Sequence, residues 1–148
     1  MQISSRFTIA LHMFMCIHIF EKDHKITSDF LAESIHVNPV VIRRLLSQLK
    51  AAGLLSVQRG SGGASIAKPL SQITFLDVYR AVDCVGEEGL FHFHENPNPD
   101  CPVGRNVHRV LDGRLERIQA AMEREMAGMT LESVLKDMET CIEEDSRR

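Results

Sequence analysis

The 148-residue chain is predicted to be mainly α-helical with one small β-hairpin. Most segments repeat their apolar residues at helical spacing, and several begin after a Ser, Thr or Asn that can cap a helix. The exception is a glycine-rich stretch, residues 59–63, which has a short apolar-leaning run on each side. Such a pattern is typical of two strands joined by a turn. With 44% hydrophobic and 25% charged residues, the chain has the composition of an ordinary globular protein.

The first helix is predicted to begin at Ser4 or Ser5 and to end near Phe20. It is apolar almost all round, which predicts a central place in the core. The apolar run is too short to span a membrane comfortably, and no small-residue cleavage site of a signal peptide follows it. Four widely separated cysteines suit a reducing compartment. We therefore expect a cytoplasmic chain with no membrane partner.

The next two helices are short and are separated by a three-residue turn. Thr27 or Ser28 caps the first of them, and Asn38 caps the second, with Pro39 at its first helical position. Two short helices joined in this way, the second with an arginine-bearing free face, indicate a helix-turn-helix. The buried face of the second is predicted to consist of Ile42, Leu45, Leu46 and Leu49, and its free face of Val40, Arg43, Arg44 and Ser47.

A hairpin follows at once, with strands predicted in "LLSVQ" and "ASIAK". A helix-turn-helix followed by a hairpin is a winged helix. The tip cannot be a phosphate loop, because such a loop leads from a strand into a helix. Two residues would close a tight turn, so the longer tip is interpreted as a surface that meets DNA, with a mobile loop as the alternative. The tip consists of Arg59, Gly60, Ser61, Gly62 and Gly63.

Three further helices are predicted beyond Pro69. One begins at Thr74, which forms a loose capping box with Asp77, and the last begins after Thr130. Between them, a helix over residues 102–126 would extend about 37 Å, more than a small domain needs, and this length suggests a partner helix. Its apolar stripe contains Val107, Leu111, Leu115, Ile118, Met122 and Met126. We predict a DNA-binding domain over residues 1–83, and an effector loop with dimerisation helices over residues 84–148.

Charge is distributed unevenly along the chain. The first 70 residues contain eight Lys/Arg and four Asp/Glu, a net +4, whereas residues 71–148 contain nine and sixteen, a net −7. A basic half can meet phosphate while the acidic half stays away from it. The chain has no Trp and one Tyr, which argues against stacking on bases. Double-stranded DNA is therefore the predicted partner.

Individual side chains can be assigned to parts of this interface. Arg43 and Arg44 are candidates for pairing with guanine, and Val40 for contact with a thymine methyl group. The alternatives are solvated surface charges for the arginines and plain packing for the valine. Ser28 and Ser47 are candidates for phosphate contacts. Arg59 is expected to enter a minor groove or clamp a phosphate, while the glycines let the backbone approach closely.

Cys101 stands at the start of the long helix, where the helix dipole favours a thiolate. It is a candidate sensor of oxidants or electrophiles, with an unreactive cysteine as the alternative. His92, His94 and His108 could add metal ligands, but their spacing matches no zinc or cluster pattern, so no metal or cofactor is expected. No nucleophile–base arrangement is visible, which argues against an enzyme.

Three stretches carry a resemblance to a known family: "MQISSRFTIAL", "LAESIHVNPVVIRRLLSQLKAAGLLSVQRGSGGASIAKP" and "ITFLDVYRAVD". They resemble the Rrf2 family of bacterial winged-helix transcription regulators, strongly to about residue 85 and more weakly over 101–135. The resemblance implies a homodimer, held by the long helix, on a roughly palindromic operator. We predict that the chain is a repressor. Some members hold an iron–sulfur cluster through three cysteines near that helix.

This sequence departs from the family pattern at two places. Only Cys101 lies in the cluster window, with Cys84 well upstream, and a cluster usually takes about four ligands. His36 occupies the turn position where the fold commonly has Gly, and His tolerates a left-handed conformation better than most residues. Two alternatives remain open: a metal- or cluster-linked regulator that uses the loop histidines and Cys101, and a protein-interaction module without specific DNA binding.

Overall fold

The computed structural model describes residues 4–60, 62–82 and 89–148. Within these residues it has helices and one two-stranded antiparallel sheet, which confirms the predicted fold class. Predictions about Ser61 and Cys84, and the junction at residues 83 and 84, lie outside the described residues. The elements are α1 (Ser5–Phe20), α2 (Ser28–Ile35), α3 (Pro39–Ala51), β1 (Leu55–Gln58), β2 (Gly63–Ile66), α4 (Phe75–Ala81), α5 (Pro102–Ala127) and α6 (Leu131–Ser146).

Helix α1 lies at the centre of the core, as predicted. Ser4 caps it by accepting a hydrogen bond from the backbone N–H of Arg6. Its side chains pack with those of α3, α4 and the start of α6 in a single cluster of buried residues. That cluster includes Leu131 and Leu135 of α6, so residues on both sides of the predicted 83/84 boundary share one core. The boundary itself stays a prediction.

The helix-turn-helix has the predicted caps. Thr27 accepts from the backbone N–H of Phe30 at the start of α2, and Asn38 accepts from that of Val40 at the start of α3. His36 ends α2 with φ 58°, so this histidine does adopt the left-handed conformation expected at the turn. The apolar face of α3 is buried as predicted, which fixes the opposite face towards solvent.

The hairpin pairs β1 with β2 in a register that places Leu55 opposite Ile66 and Gln58 opposite Gly63. Its second strand is attached to the segment before α2, because the backbone N–H of Ala64 donates to the carbonyl of Ile26 at 2.9 Å. The wing is therefore attached to the helix-turn-helix through its backbone and does not project from it freely.

A backbone bridge connects the start of α4 with the start of α6. The N–H of Phe75 donates to the carbonyl of Met129, and the N–H of Leu131 donates to the carbonyl of Ile73, each at 2.9 Å. The predicted capping box of Thr74 and Asp77 is present beside this bridge. The C-terminal end of α5 is thereby held close to the start of α4.

Helix α5 has 26 residues and extends about 39 Å at 1.5 Å per residue. All of it is described, and none of its residues is buried. Met122 and Met126 pack against the core of their own chain. Farther towards the N-terminus, its apolar side chains are exposed: Val103 is 74% exposed, Val110 52% and Ile118 54%.

Candidate nucleic-acid interface

The outward face of α3 presents the side chains predicted to contact bases. Val40 is 63% exposed, and Arg43, Arg44 and Ser47 are exposed beside it. The buried leucines and isoleucine on the opposite face hold this helix in place. A rigid helix with valine and arginine near its N-terminal end matches the way a recognition helix presents side chains to a major groove.

A cleft of about 400 Å³ lies between α3 and the hairpin, and we call it the basic cleft. Four cations line it, and among the described residues no Asp or Glu does. The cations come from three separate parts of the chain: Lys25 precedes α2, Arg43 and Lys50 lie on α3, and Arg59 lies on the wing. A concave surface with only positive charges attracts a polyanion strongly.

The amino end of α2 opens onto the same cleft. Thr27 and Ser28 line it, and Thr27 is the N-cap of the helix. The amino end of a helix carries a partial positive charge and free N–H groups, which favour a phosphate. The cleft thus combines side-chain cations with a helix terminus of the same sign.

The glycines of the wing tip have different structural roles. Gly60 has φ +83° with open space around it, so only its backbone conformation favours glycine. Gly63 has φ +69°, and a Cβ there would lie 2.7 Å from the carbonyl oxygen of Ile26. The close approach at Gly63 is therefore to the protein's own backbone, whereas the sequence interpretation attributed it to approach to DNA.

The structure brings most of the predicted DNA-binding residues together. Lining the basic cleft are Ser28, Arg43, Ser47, Arg59, Gly60 and Gly63. Val40, Arg44 and Gly62 lie outside it, the first two on α3 and the last at the wing tip. Lys25 and Lys50 were missed. Lys50 had a signal, since it lies at i+7 from Arg43 and at i+3 from Ser47, on the same helix face.

Cys101 is the N-cap residue of α5 and is partly exposed. The backbone N–H groups of Gly104 and Val103 hold the pKa of its thiol below the ordinary value, against a weaker opposing effect of desolvation. The geometry is the one expected from sequence, because the first N–H groups of a helix have no partner within the helix. The sulfur is therefore available in the more nucleophilic form at lower pH than an ordinary cysteine.

Two of the predicted histidines, His94 and His108, stack with each other, and His108 also lies against an aromatic ring. The rings of Phe93 and His108 have centroids 4.3 Å apart, and those of His94 and His108 lie 6.5 Å apart. His108 also contacts Asp112 through Nδ1 at 3.1 Å. In the described part of the chain, no three His, Cys, Asp or Glu side chains are placed to hold a metal ion. With Cys101 as one thiolate among them, these residues do not fit an iron–sulfur cluster.

The predicted dimerisation stripe divides into two parts. Leu115 lines a small pocket with Phe91 and Phe93, and Met122 packs on its own core. Leu111 and Ile118 are exposed, and Val107 is partly buried. The exposed apolar face of α5 comprises Val103, Val110, Leu111 and Ile118. Val103 and Val110 were missed, although their seven-residue spacing is a helical signal.

A winged helix whose described residues form a cleft beside the third helix with four cations and no Asp or Glu is typical of the class of winged-helix DNA-binding regulators. The chain belongs to the Rrf2 family, whose model, described as iron-dependent transcriptional regulator, matches residues 3–137. The predicted resemblance is thereby confirmed.

Individual relatives agree with this assignment. The chain is 43% identical over 136 residues to YwnA of Bacillus subtilis, named as an HTH-type transcriptional regulator, across 92% of this chain and 98% of YwnA. A crystal structure described as a DNA-binding protein is 37% identical with a TM-score of 0.69, covering 88% of this chain and 99% of the other. A transcriptional regulator from Lactobacillus plantarum, at 23% identity, shares the fold with a TM-score of 0.75 over 96% of this chain and 98% of its own.

The chain is thus a DNA-binding transcriptional regulator of the Rrf2 family. In the ranges that the structure describes, every helix is either too short or too polar to cross a membrane.

Proposed function

We propose that the chain acts as a homodimeric repressor that binds a roughly palindromic operator and responds to modification of Cys101. The observation that carries the proposal is the basic cleft between α3 and the wing, with four cations and no carboxylate among its described lining residues. Repression needs only that the bound dimer occupy a promoter. In this proposal residues 1–83 bind DNA, and residues 84–148 form the dimer and receive the signal.

Base contacts are assigned to the exposed face of α3. Arg43 and Arg44 extend from its first turns, where a guanidinium can pair with O6 and N7 of a guanine. Val40 stands one turn earlier and meets a thymine methyl group. These three residues supply the sequence preference of the complex.

Phosphate contacts are assigned to the basic cleft and the wing. The hydroxyl groups of Ser28, at the start of α2, and Ser47, on α3, donate hydrogen bonds to phosphate oxygens of DNA in the cleft. Arg59 and the glycine backbone of the tip, Gly60 to Gly63, hold the flanking strand. These contacts fix the position of α3 in the groove without adding much sequence information.

The dimer is assigned to the exposed apolar face of α5, together with Val107, Leu115 and Met122 at its edge. An apolar face of this length on a helix of about 39 Å suits a second copy of the same helix. A two-fold axis through this contact would place two α3 helices in successive major grooves, about 34 Å apart or a multiple of that distance. The operator is then a palindrome because the protein is two-fold symmetric.

Ile118→Arg is expected to dissociate the dimer. Each variant dimer would bury two unpaired guanidinium groups in place of two isoleucines, which raises the dimer dissociation constant by more than about 100-fold. Sedimentation velocity of the full chain measures this. The control is Ile142→Arg, since Ile142 is also exposed but lies on α6. A variant at Ile118 that stays as dimeric as the control would contradict the assignment of this face.

Cys101 is assigned as the sensor because its sulfur lies at the amino end of the helix that carries the dimer face. Alkylation of the thiolate by an electrophile forms a carbon–sulfur bond, which adds bulk and removes the negative charge that the Gly104 and Val103 N–H groups stabilise. A small shift of α5 against the bridge at Met129 would change the angle between the two winged helices. Because the two α3 helices must bind their half-sites at the same time, a displacement of a few ångström between them lowers the affinity for the operator.

Cys101 is expected to react with iodoacetamide at lower pH than N-acetylcysteine does. The folded state lowers its pKa, so the thiolate persists, and the rate stays high, until the pH falls through that lowered value. Peptide mass spectrometry across a pH series gives the rate at each cysteine. Cys16 is the internal control, because it is buried and burial raises the pKa of its thiol. Equal pH midpoints for Cys101 and N-acetylcysteine would refute the sensor assignment.

Selection from a random-sequence duplex library tests the proposed function as a whole. We expect an enriched palindrome that carries guanine in each half-site, and competitive binding that prefers it to a scrambled duplex. Failure to enrich any sequence, with only salt-sensitive uniform binding, would favour the alternative of a protein-interaction module. Iron analysis of anaerobically purified protein separates the remaining alternative, a cluster-linked regulator, which predicts bound iron and visible absorption.

A further inference from the structure

We propose that Lys25 is a positioning residue that holds Arg59 and Gly60 of the wing tip in their DNA-binding orientation. Lys25 lies in the connection between α1 and α2, and its Nζ donates a hydrogen bond to the carbonyl oxygen of Gly60. The proposal deepens the function proposed above, on which it rests, and it concerns a residue that sequence reasoning did not select.

The wing is attached to the connection before α2 at two neighbouring points. At the tip end of β2, the N–H of Ala64 donates to the carbonyl of Ile26, and Gly63 lies against that same backbone. Just beyond the paired strands, Lys25 reaches the carbonyl of Gly60. Two attachments from consecutive residues, Lys25 and Ile26, thus restrain the distal end of the hairpin.

The backbone of the wing tip at Arg59 and Gly60 is not held by strand pairing and requires another restraint. The last pair of the hairpin register is Gln58 with Gly63, so Arg59 and Gly60 lie beyond the paired strands. A two-stranded hairpin is marginally stable by itself, and a glycine such as Gly60, at φ +83°, has a wide choice of backbone conformations. A hydrogen bond from a charged donor to the Gly60 carbonyl restrains the peptide plane that follows Gly60, one residue beyond Arg59. It thereby limits the backbone conformations open to Gly60, and with them the positions open to the neighbouring Arg59.

Lys25 has a competing role as a direct phosphate ligand, because it also lines the basic cleft. An ammonium group has three donors, and one of them is used on Gly60. The two roles differ in what they predict. A phosphate ligand contributes to the salt dependence of binding, whereas a positioning residue acts on the wing even when no DNA is present.

The test compares Lys25→Met, which keeps the aliphatic stem, with Lys25→Arg, which keeps the donor. Lys22→Met is the matched control, since Lys22 is exposed in the same connection but lies outside the basic cleft. Backbone order parameters from ¹⁵N relaxation are measured for Arg59, Gly60 and Gly62 in the DNA-free full chain. Operator affinity is then measured as a function of salt concentration.

We expect the order parameters of the tip to fall from about 0.8 to below about 0.6 in Lys25→Met and to stay high in the other two variants. Operator binding by Lys25→Met should weaken by roughly 3- to 10-fold with the wild-type salt slope, and Lys25→Arg should restore it. Thermal unfolding should change little, because the side chain is exposed.

Two results would overturn the proposal. An unchanged tip together with a salt slope reduced by about one would assign Lys25 to a phosphate instead. A loosened tip with unchanged operator affinity would show that the restraint does not serve DNA binding. Failure of the proposed function would give a different result. The wild-type chain would then show no preference for any operator, while the order parameters of the wing tip would still report whether Lys25 holds it.

Discussion

Gly63→Ala is expected to lower the free energy of unfolding by about 2–4 kcal/mol. Two separate costs contribute to it. An alanine at φ +69° adopts a left-handed conformation that side chains with a Cβ disfavour. The new Cβ would also lie 2.7 Å from the carbonyl oxygen of Ile26, and that backbone cannot move without breaking its bond to Ala64. Urea unfolding followed by circular dichroism measures the change.

Gly113→Ala is the matched control for this substitution. Gly113 lies inside α5, and a Cβ there would meet nothing within 4 Å beyond its chain neighbours and the adjacent helix backbone. Alanine favours a helix over glycine, so this variant is expected to be more stable by about 0.5–1 kcal/mol. If Gly63→Ala lost no stability relative to wild type, the close contact between wing and helix-turn-helix would be wrong.

Arg59→Ala is expected to weaken operator binding by about 10-fold or more without changing the dimer. Arg59 is the cation of the wing and faces the basic cleft. Loss of one phosphate contact should reduce the slope of log K against log salt by about one. Fluorescence anisotropy with a selected operator at several salt concentrations gives both quantities, and sedimentation gives the oligomeric state.

Arg147→Ala is the control for charge alone. Arg147 is exposed at the end of α6 and does not line the cleft. Both variants lower the net charge by one, so only a local contact distinguishes them. Equal operator affinities and equal salt slopes for the two variants would show that Arg59 does not contact DNA.

The local elements could be predicted from sequence because their signals are local. Asn38 and Pro39 specify the start of α3 within two residues, and Thr74 with Asp77 specifies that of α4. The left-handed turn at His36 was also predictable, since its position between two helices requires a compact reversal. The wing was predictable as a hairpin because glycines separate two short apolar-leaning runs.

Features that depend on distant contacts could not be predicted. Gly63 meets the backbone of Ile26, and Lys25 meets Gly60, across more than 30 residues of chain. No periodicity encodes such a contact. The stripe of α5 was visible in sequence, yet only the packed structure shows that Met122 faces its own core while Val103 and Val110 are exposed. Helical spacing places residues on a face, and tertiary packing decides which face is covered.

The proposed signal pathway connects three features of the structure. Cys101 caps the start of α5, the exposed apolar face follows it, and the bridge of Met129 with Phe75 ties the far end of α5 to the start of α4. A change at the thiol therefore acts at one end of a helix whose other end is held. The part of α5 between these ends is where the two copies are proposed to meet.

The most direct test of the central claim is the affinity ratio between a selected palindromic operator and a scrambled duplex of equal length, measured at physiological salt. Sequence-specific binding by α3 and the wing predicts a ratio of at least about 1,000, with one dimer bound per operator. A ratio near one at every salt concentration would contradict the account, because the basic cleft would then attract nucleic acid by charge alone.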